Sequence, residues 1–252
     1  MKSLVIANWK MNPETLADAK KLFEATKKAV EKARGATVVV APPTIFLHEF
    51  RAGYRGKRIV FGVQNAHFEK EGAYTGETSL TQAADAGATW AIIGHAERRA
   101  MGETSEDTRK KVAAAITLKM TPVLCVGEKA RGASAEHFEY VKEQLKTGLA
   151  DVPATKLGRV VIAYEPVWAI GAATAMSPHD MHEMAIFIKK TLFEIYGKPG
   201  MKAVILYGGS VDEQNAPAML REGGVDGLLV GRASADPKRF AQLLDAVEKA
   251  RA

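Results

Sequence analysis

Five short apolar runs in this chain hand over directly to residues suited to proton transfer and anion binding. Run 4–7 leads into Asn8 and Lys10, run 90–94 into His95, and run 160–164 into Glu165. Run 204–207 leads into Gly208-Gly209-Ser210, and run 227–230 into Gly231-Arg232. A carboxylate held among apolar neighbours is a suitable general base, because desolvation raises its basicity. Glu165 also precedes Pro166, which biases it to extended backbone and helps fix where its side chain points. His95 stands before Ala96-Glu97-Arg98-Arg99, which reads as the opening of a helix. A helix amino terminus disfavours imidazolium, and a neutral ring can donate a hydrogen bond to a carbonyl oxygen. Lys10 can stabilise developing negative charge, and backbone N–H groups in glycine-containing turns bind phosphate. Taken singly, each has a plainer role: a rim carboxylate in a salt bridge, a satisfied structural histidine, a surface lysine, glycines that permit tight turns.

The elements that must position these residues repeat along the chain. Strands are expected near residues 4–9, 37–41, 59–64, 89–94, 121–126, 160–164, 204–207 and 227–230, with helical patterns between them. Ser177 caps one helix, with Pro178 at its first position, Asp180 completing a capping-box pattern and Gly197 stopping it. Met181, Met184, Ala185, Ile188, Leu192 and Ile195 form its apolar stripe. Thr104-x-x-Asp107 opens a second helix; Asp236-Pro237 opens the last, with Phe240, Leu243, Leu244 and Val247 as the buried face. Strict alternation implies a parallel sheet, and eight units without a low-complexity linker imply one closed (β/α)8 barrel spanning residues 1–252. A doubly wound open sheet is the runner-up, but no G-x-G-x-x-G follows the first strand. In a barrel, all the carboxyl ends share one mouth, so the scattered polar residues become one site. Period-two alternation puts Ile6, Asn8 and Lys10 on one face if the extended backbone persists, and likewise Ile93 with His95 and Ala163 with Glu165. Two connections are long enough to be functional: residues 65–78, and the stretch from Pro166 to Met176.

Composition narrows the function classes. The chain has 252 residues, 47% of them hydrophobic, and a net charge of +6. Its basic residues come as isolated pairs such as Lys27-Lys28, Arg98-Arg99 and Lys110-Lys111, mixed with acids. They read as solvated helix faces rather than a nucleic-acid surface, though a mild positive field helps draw in an anion. The apolar runs are too short to span a membrane. The start lacks a signal-peptide pattern, and a single cysteine, Cys125, permits no intrachain disulfide; a reducing, cytoplasmic location is expected. Cys125 reads as a buried small hydrophobe with no base placed beside it. His179-x-x-His182-Glu183 has metal-ligand spacing but no evident third ligand, and reads as an exposed polar face.

Four motifs, in order, resemble the triosephosphate isomerase family: Asn8-Trp9-Lys10-Met11-Asn12, Gly94-His95-Ala96-Glu97-Arg98-Arg99, Tyr164-Glu165-Pro166-Val167-Trp168-Ala169-Ile170-Gly171, and Tyr207-Gly208-Gly209-Ser210-Val211. The resemblance runs from residue 6 to about 234 and implies a TIM barrel that interconverts dihydroxyacetone phosphate and D-glyceraldehyde 3-phosphate, in glycolysis and gluconeogenesis, without metal or organic cofactor. It implies Glu165 as the base, His95 as the group polarising the carbonyl, Lys10 and Asn8 as substrate contacts, and Glu97 as their support. Backbone groups of Gly171, Ser210, Gly231 and Arg232 would hold the phosphate. Pro166, Val167, Trp168, Ala169, Ile170, Gly171, Ala172, Ala173, Thr174, Ala175 and Met176 would form a lid, with Tyr207 and Ser210 as its latch and Glu128 beside Trp168 at its hinge. The loop carrying Tyr74 and Thr75 would insert into a second subunit, so that these two and Met11 become homodimer contacts.

Three departures from the family pattern stand out. Ala172-Ala173-Thr174 stands where Thr-Gly-Lys is usual, which removes a glycine's access to positive φ and predicts altered lid kinetics. Arg232 replaces a glycine, leaving its backbone N–H and adding a side chain that either faces the phosphate or points to solvent. Ala96 replaces a serine beside His95. The alternatives are a phosphosugar-binding barrel whose altered lid impairs isomerisation, and another phosphosugar enzyme such as an epimerase or aldolase. The latter would need metal-ligating histidines or a Schiff-base lysine at strand ends, and neither stands out in the sequence.

Overall fold

A computed structural model describes residues 2–132, 135–170 and 175–251. Eight parallel strands, each paired with the next in chain order and the last with the first, close a barrel. They are β1 (Ser3–Asn8), β2 (Ala36–Ala41), β3 (Ile59–Val63), β4 (Trp90–Ile93), β5 (Thr121–Val126), β6 (Val161–Tyr164), β7 (Val204–Tyr207) and β8 (Gly227–Val230). The helices among the described residues are α1 (Leu16–Lys32), α2 (Thr44–Gly53), α3 (Leu80–Asp85), α4 (Ala96–Ala100), α5 (Ser105–Thr117), α6 (Glu136–Gly148), α7 (Pro178–Tyr196), α8 (Ala216–Glu222) and α9 (Pro237–Arg251). Every expected strand is present within two residues of its expected bounds. None of the described helices is long and apolar enough to cross a membrane.

The strands read as unbroken apolar runs because both of their faces are covered. One set of side chains fills the barrel: Leu4, Ile6, Val39, Ala41, Ile92, Val123, Cys125, Val161, Ala163, Leu206 and Leu229. The alternate set, including Val5, Ala7, Val38, Val40, Ile93, Ile162 and Leu228, packs outward against the helices. Closure needs one very close approach: a Cβ on Gly227 would fall 2.0 Å from the Leu4 carbonyl oxygen, so β8 can lie there only with glycine.

Local signals set the helix ends. Thr104 and Asp107 form a complete capping box, and Asp236 accepts from the backbone N–H of Lys238 and Arg239 at the start of α9. Ser177 accepts from Asp180 N and opens α7, realising half of the expected box, and Gly197 ends that helix at φ +66°. Ile195 departs from the expected stripe: it is exposed, while Met181, Met184, Ala185, Ile188 and Leu192 are buried. The basic pairs are also less uniform than surface patterning implies. Arg99 donates from Nε to Gly94 O (2.8 Å) and from Nη2 to Cys125 O (3.3 Å). Lys111 is buried, donates to Asn65 Oδ1 at 2.7 Å, and pairs with buried Glu103 at 3.3 Å.

Candidate active site

Alternation delivers two of the site residues as expected. Asn8 continues the inward face of Ile6, and Glu165 that of Ala163, into the carboxyl-terminal mouth of the barrel. The other two arrive by a different route. Ile93 packs outward and Ile92 inward, so simple parity would turn His95 away from the mouth. Gly94 corrects this: at φ +73° it takes a left-handed turn, and a Cβ there would lie 2.7 Å from Thr108 Cγ2. Lys10 likewise leaves the extended backbone, at φ +53°. A non-glycine residue in that region costs about 1–2 kcal/mol. Asn8 Oδ1 offsets this by accepting from Lys10 N (3.0 Å), and Gln64 Nε2 by donating to Lys10 O (2.8 Å).

The expected base and the expected carbonyl-polarising group, Glu165 and His95, face each other. Glu165 is 2% exposed. Its Oε2 accepts from Ala96 N at 2.9 Å. Its Oε1 lies 3.2 Å from His95 Nε2, off the line of a hydrogen bond, and accepts no well-aligned hydrogen bond among the described residues. His95 Nδ1 accepts from Glu97 N at 3.1 Å. An accepting Nδ1 carries no proton, so the ring is neutral with its N–H on Nε2, toward the cavity. Glu97 is thus tied to both partners: its N–H orients His95, and its carboxylate pairs with Lys10 Nζ. Behind His95, Glu103 Oε1 accepts from Gly94 N (3.2 Å) and holds the left-handed turn.

These groups line a cavity of about 420 Å³ with Gly208, Gly209, Ser210, Gly231, Arg232 and Ala233. A Cβ on Gly208 would lie 2.9 Å from Glu165 Cγ, and one on Gly231 3.1 Å from Lys10 Cε, so both glycines make room for those side chains. Arg232 is exposed, and its side chain forms no hydrogen bond or ion pair among the described residues. Ile170 and Ala175 also line the cavity. Gly171, Ala172, Ala173 and Thr174 lie outside the described residues. Met176 is buried and donates from its backbone to Tyr207 Oη (3.3 Å), whose phenol burial pushes up to about 12.

A family model described as triosephosphate isomerase matches residues 3–247. The chain belongs to the triosephosphate isomerase family. Two curated relatives carry that name. One, from Aquifex aeolicus (strain VF5), is 38% identical over 246 residues, covering 97% of this chain and 99% of the relative. The other, from Endomicrobium trichonymphae, is 38% identical over 245 residues, covering 96% and 98%.

Within this triosephosphate isomerase framework, three features escape the sequence reading. Gly127 is one, because a Cβ there would fall 1.8 Å from the Glu165 carbonyl oxygen. The strand-end approach that demands glycine is visible only in three dimensions. Cys125 is the second. It is buried as expected, but Glu165 does stand beside it: burial first, then that negative charge, hold its thiol well above the ordinary range. Glu128 is the third, in its reach. It accepts from Trp168 Nε1 (2.8 Å), as hinge contact implies, and also from the Tyr164 hydroxyl at 2.8 and 2.9 Å. Burial and the Glu128 carboxylate push the Tyr164 phenol upward. His179 and His182 face solvent from α7.

Proposed function

We propose that Glu165, His95 and Lys10 carry out, at the barrel mouth, the interconversion of dihydroxyacetone phosphate and D-glyceraldehyde 3-phosphate that the family performs. The observation that carries this reading is the 3.2 Å approach of Glu165 Oε1 to His95 Nε2 on a cavity that Lys10 also lines. Glu165, shielded from water and with one oxygen that accepts no well-aligned hydrogen bond among the described residues, removes the proton alpha to the substrate carbonyl and returns it to the adjacent carbon. His95 donates from Nε2 to the carbonyl oxygen and passes protons between the two oxygens of the enediol(ate). The Lys10 ammonium and the Asn8 amide bind the substrate and stabilise that charge. Backbone N–H groups of Gly171, Ser210, Gly231 and Arg232 take the phosphate. The loop from Pro166 to Met176 serves as a lid that excludes water and suppresses phosphate elimination. Only protons move, so the reaction calls for no cofactor. The impaired-barrel alternative has no observation behind it among the described residues.

The test is a coupled assay with glyceraldehyde 3-phosphate. Glu165→Ala should lower turnover by roughly 10²–10⁴-fold or more, the range a general base contributes. A near-wild-type rate would overturn the assignment.

The whole chain is read as one barrel domain working in the cytoplasm as a homodimer. Large apolar side chains support the dimer: Met11, Ile45, Met101 and Tyr74 are exposed. Met11 and Met101 border a second cavity of about 430 Å³ on the outer side of Lys10, with Gly76 and Glu77 of the loop that carries Thr75. Patches of this kind mark protein–protein contacts. Light scattering at the monomer mass would refute it.

A further inference from the structure

Arg131 lies on the connection between β5 and α6, outside the cavity that holds substrate. We infer that it is a positioning residue that ties together the two stems of the loop after Glu165, an inference that rests on the isomerase reading of that loop. Its Nε is 3.6 Å from Glu128 Oε1, and its Nη1 is 4.0 Å from Asp180 Oδ2. The guanidinium carbon stands 5.9 Å from the centre of the Trp168 ring, within cation–π range. Trp168 belongs to the outgoing stem, and Asp180 to the first turn of α7, where the returning stem ends. One cation therefore stands between the outgoing stem and the first turn of the helix that receives the returning one.

Charge explains why a cation is needed there. Glu128 is 2% exposed, and its hydrogen-bond donors, the Tyr164 hydroxyl and the Trp168 indole, are neutral. A buried carboxylate requires a compensating charge. Arg131 is the cation paired with it among the described residues. Glu128 also holds the start of the stem through its backbone, accepting from Val167 N at 3.0 Å. Tyr164 immediately precedes the proposed base, so loosening Glu128 loosens the backbone that aims Glu165.

The way Arg131 is held suits a stem that has to shift. Among the described residues its buried Nε and Nη2 have no well-aligned hydrogen-bond acceptor, so charge, ring contact and the neighbouring Tyr164 hydroxyl hold the guanidinium. Such a contact can follow either stem over a short distance. A lysine would keep the charge but lose the planar group that lies against Trp168.

The experiment compares wild type with Arg131→Met, Arg131→Lys and Asp180→Asn. Arg131→Met should lower kcat/KM by roughly 10- to 100-fold, the scale of a small misplacement distant from the chemistry. It should also raise the fraction of turnovers lost to phosphate elimination, a ratio that simple destabilisation does not move. Arg131→Lys should recover part of both. Amide exchange at Val167 and Met176, read without any assay of activity, should speed up together in Arg131→Met, while in Asp180→Asn only Met176 should respond. If wild type shows no isomerase activity but both amides still respond, the isomerase reading fails and the tie between stems stands. An Arg131→Met variant with unchanged elimination ratio and unchanged exchange at both amides would overturn the inference. If Arg131→Met does not fold, Asp180→Asn decides: no change at Met176 overturns it.

Discussion

The two sides of the barrel mouth are built differently. On the side of β4 to β6, the two proposed proton-transfer groups are held by backbone donors, Glu165 by Ala96 N and His95 by Glu97 N, and the turn before His95 is held by the buried Glu103 carboxylate. On the side of β7, β8 and β1, the groups are looser. Lys10 is part-exposed and paired with a carboxylate that is half exposed, and Arg232 has no partner among the described residues. The difference follows from what each side has to do. Proton transfer from carbon tolerates little error in distance or angle, and backbone donors cannot change rotamer. Holding a phosphate dianion needs positive potential and several N–H groups, and tolerates motion. If this contrast is right, a small change on the first side costs much and a larger change on the second costs little.

The sharpest way to break the contrast is Gly94→Ala. The added methyl would meet Thr108 Cγ2 at 2.7 Å and Arg99 Nη2 at 2.9 Å, at a backbone φ of +73°. A strained left-handed position costs about 1–3 kcal/mol, which thermal melting would register. Rotation of the turn would also carry His95 away from Glu165, so kcat should fall by roughly tenfold or more. A folded Gly94→Ala protein with the wild-type rate would mean that His95 is aimed by something other than this turn.

This glycine also marks where the sequence stops being legible. The eight strands could be located because β-branched runs buried on both faces leave an unbroken apolar signature. Asn8 and Glu165 could be placed because alternation carries through the strand end at Ile6 and Ala163. Alternation fails for His95 and Lys10, where the chain turns left-handed; nothing in Ile93-Gly94-His95 or Trp9-Lys10 announces the sign of φ. Lys111 and Arg99 were illegible for another reason. A basic pair on a helix looks alike whether it faces solvent or buried acceptors, because those acceptors, Glu103 for Lys111 and the Gly94 and Cys125 carbonyls for Arg99, lie outside its own helix. Cys125 and Glu165 meet only because β5 and β6 pair with Cys125 opposite Ala163, a register that spacing alone does not give. Gly127 belongs with them, since its need for a bare Cα comes from Glu165 crossing it in space.

The smallest expected effect comes from the looser side and sharpens the contrast. Arg232→Gly removes an exposed guanidinium from the cavity rim. An exposed charge near an anion contributes under about 1 kcal/mol, so KM should rise by roughly two- to fivefold, with kcat changing much less. The gap should close as salt is raised, because screening shortens the reach of the guanidinium to within about 8 Å near physiological ionic strength and further above it. Measuring KM for glyceraldehyde 3-phosphate at low and high salt in both proteins separates the two fates of this side chain. Equal KM values at low salt would mean that Arg232 points away from the phosphate. A drop in kcat as large as that of Gly94→Ala would mean that both sides of the mouth demand the same precision, and the contrast would not hold.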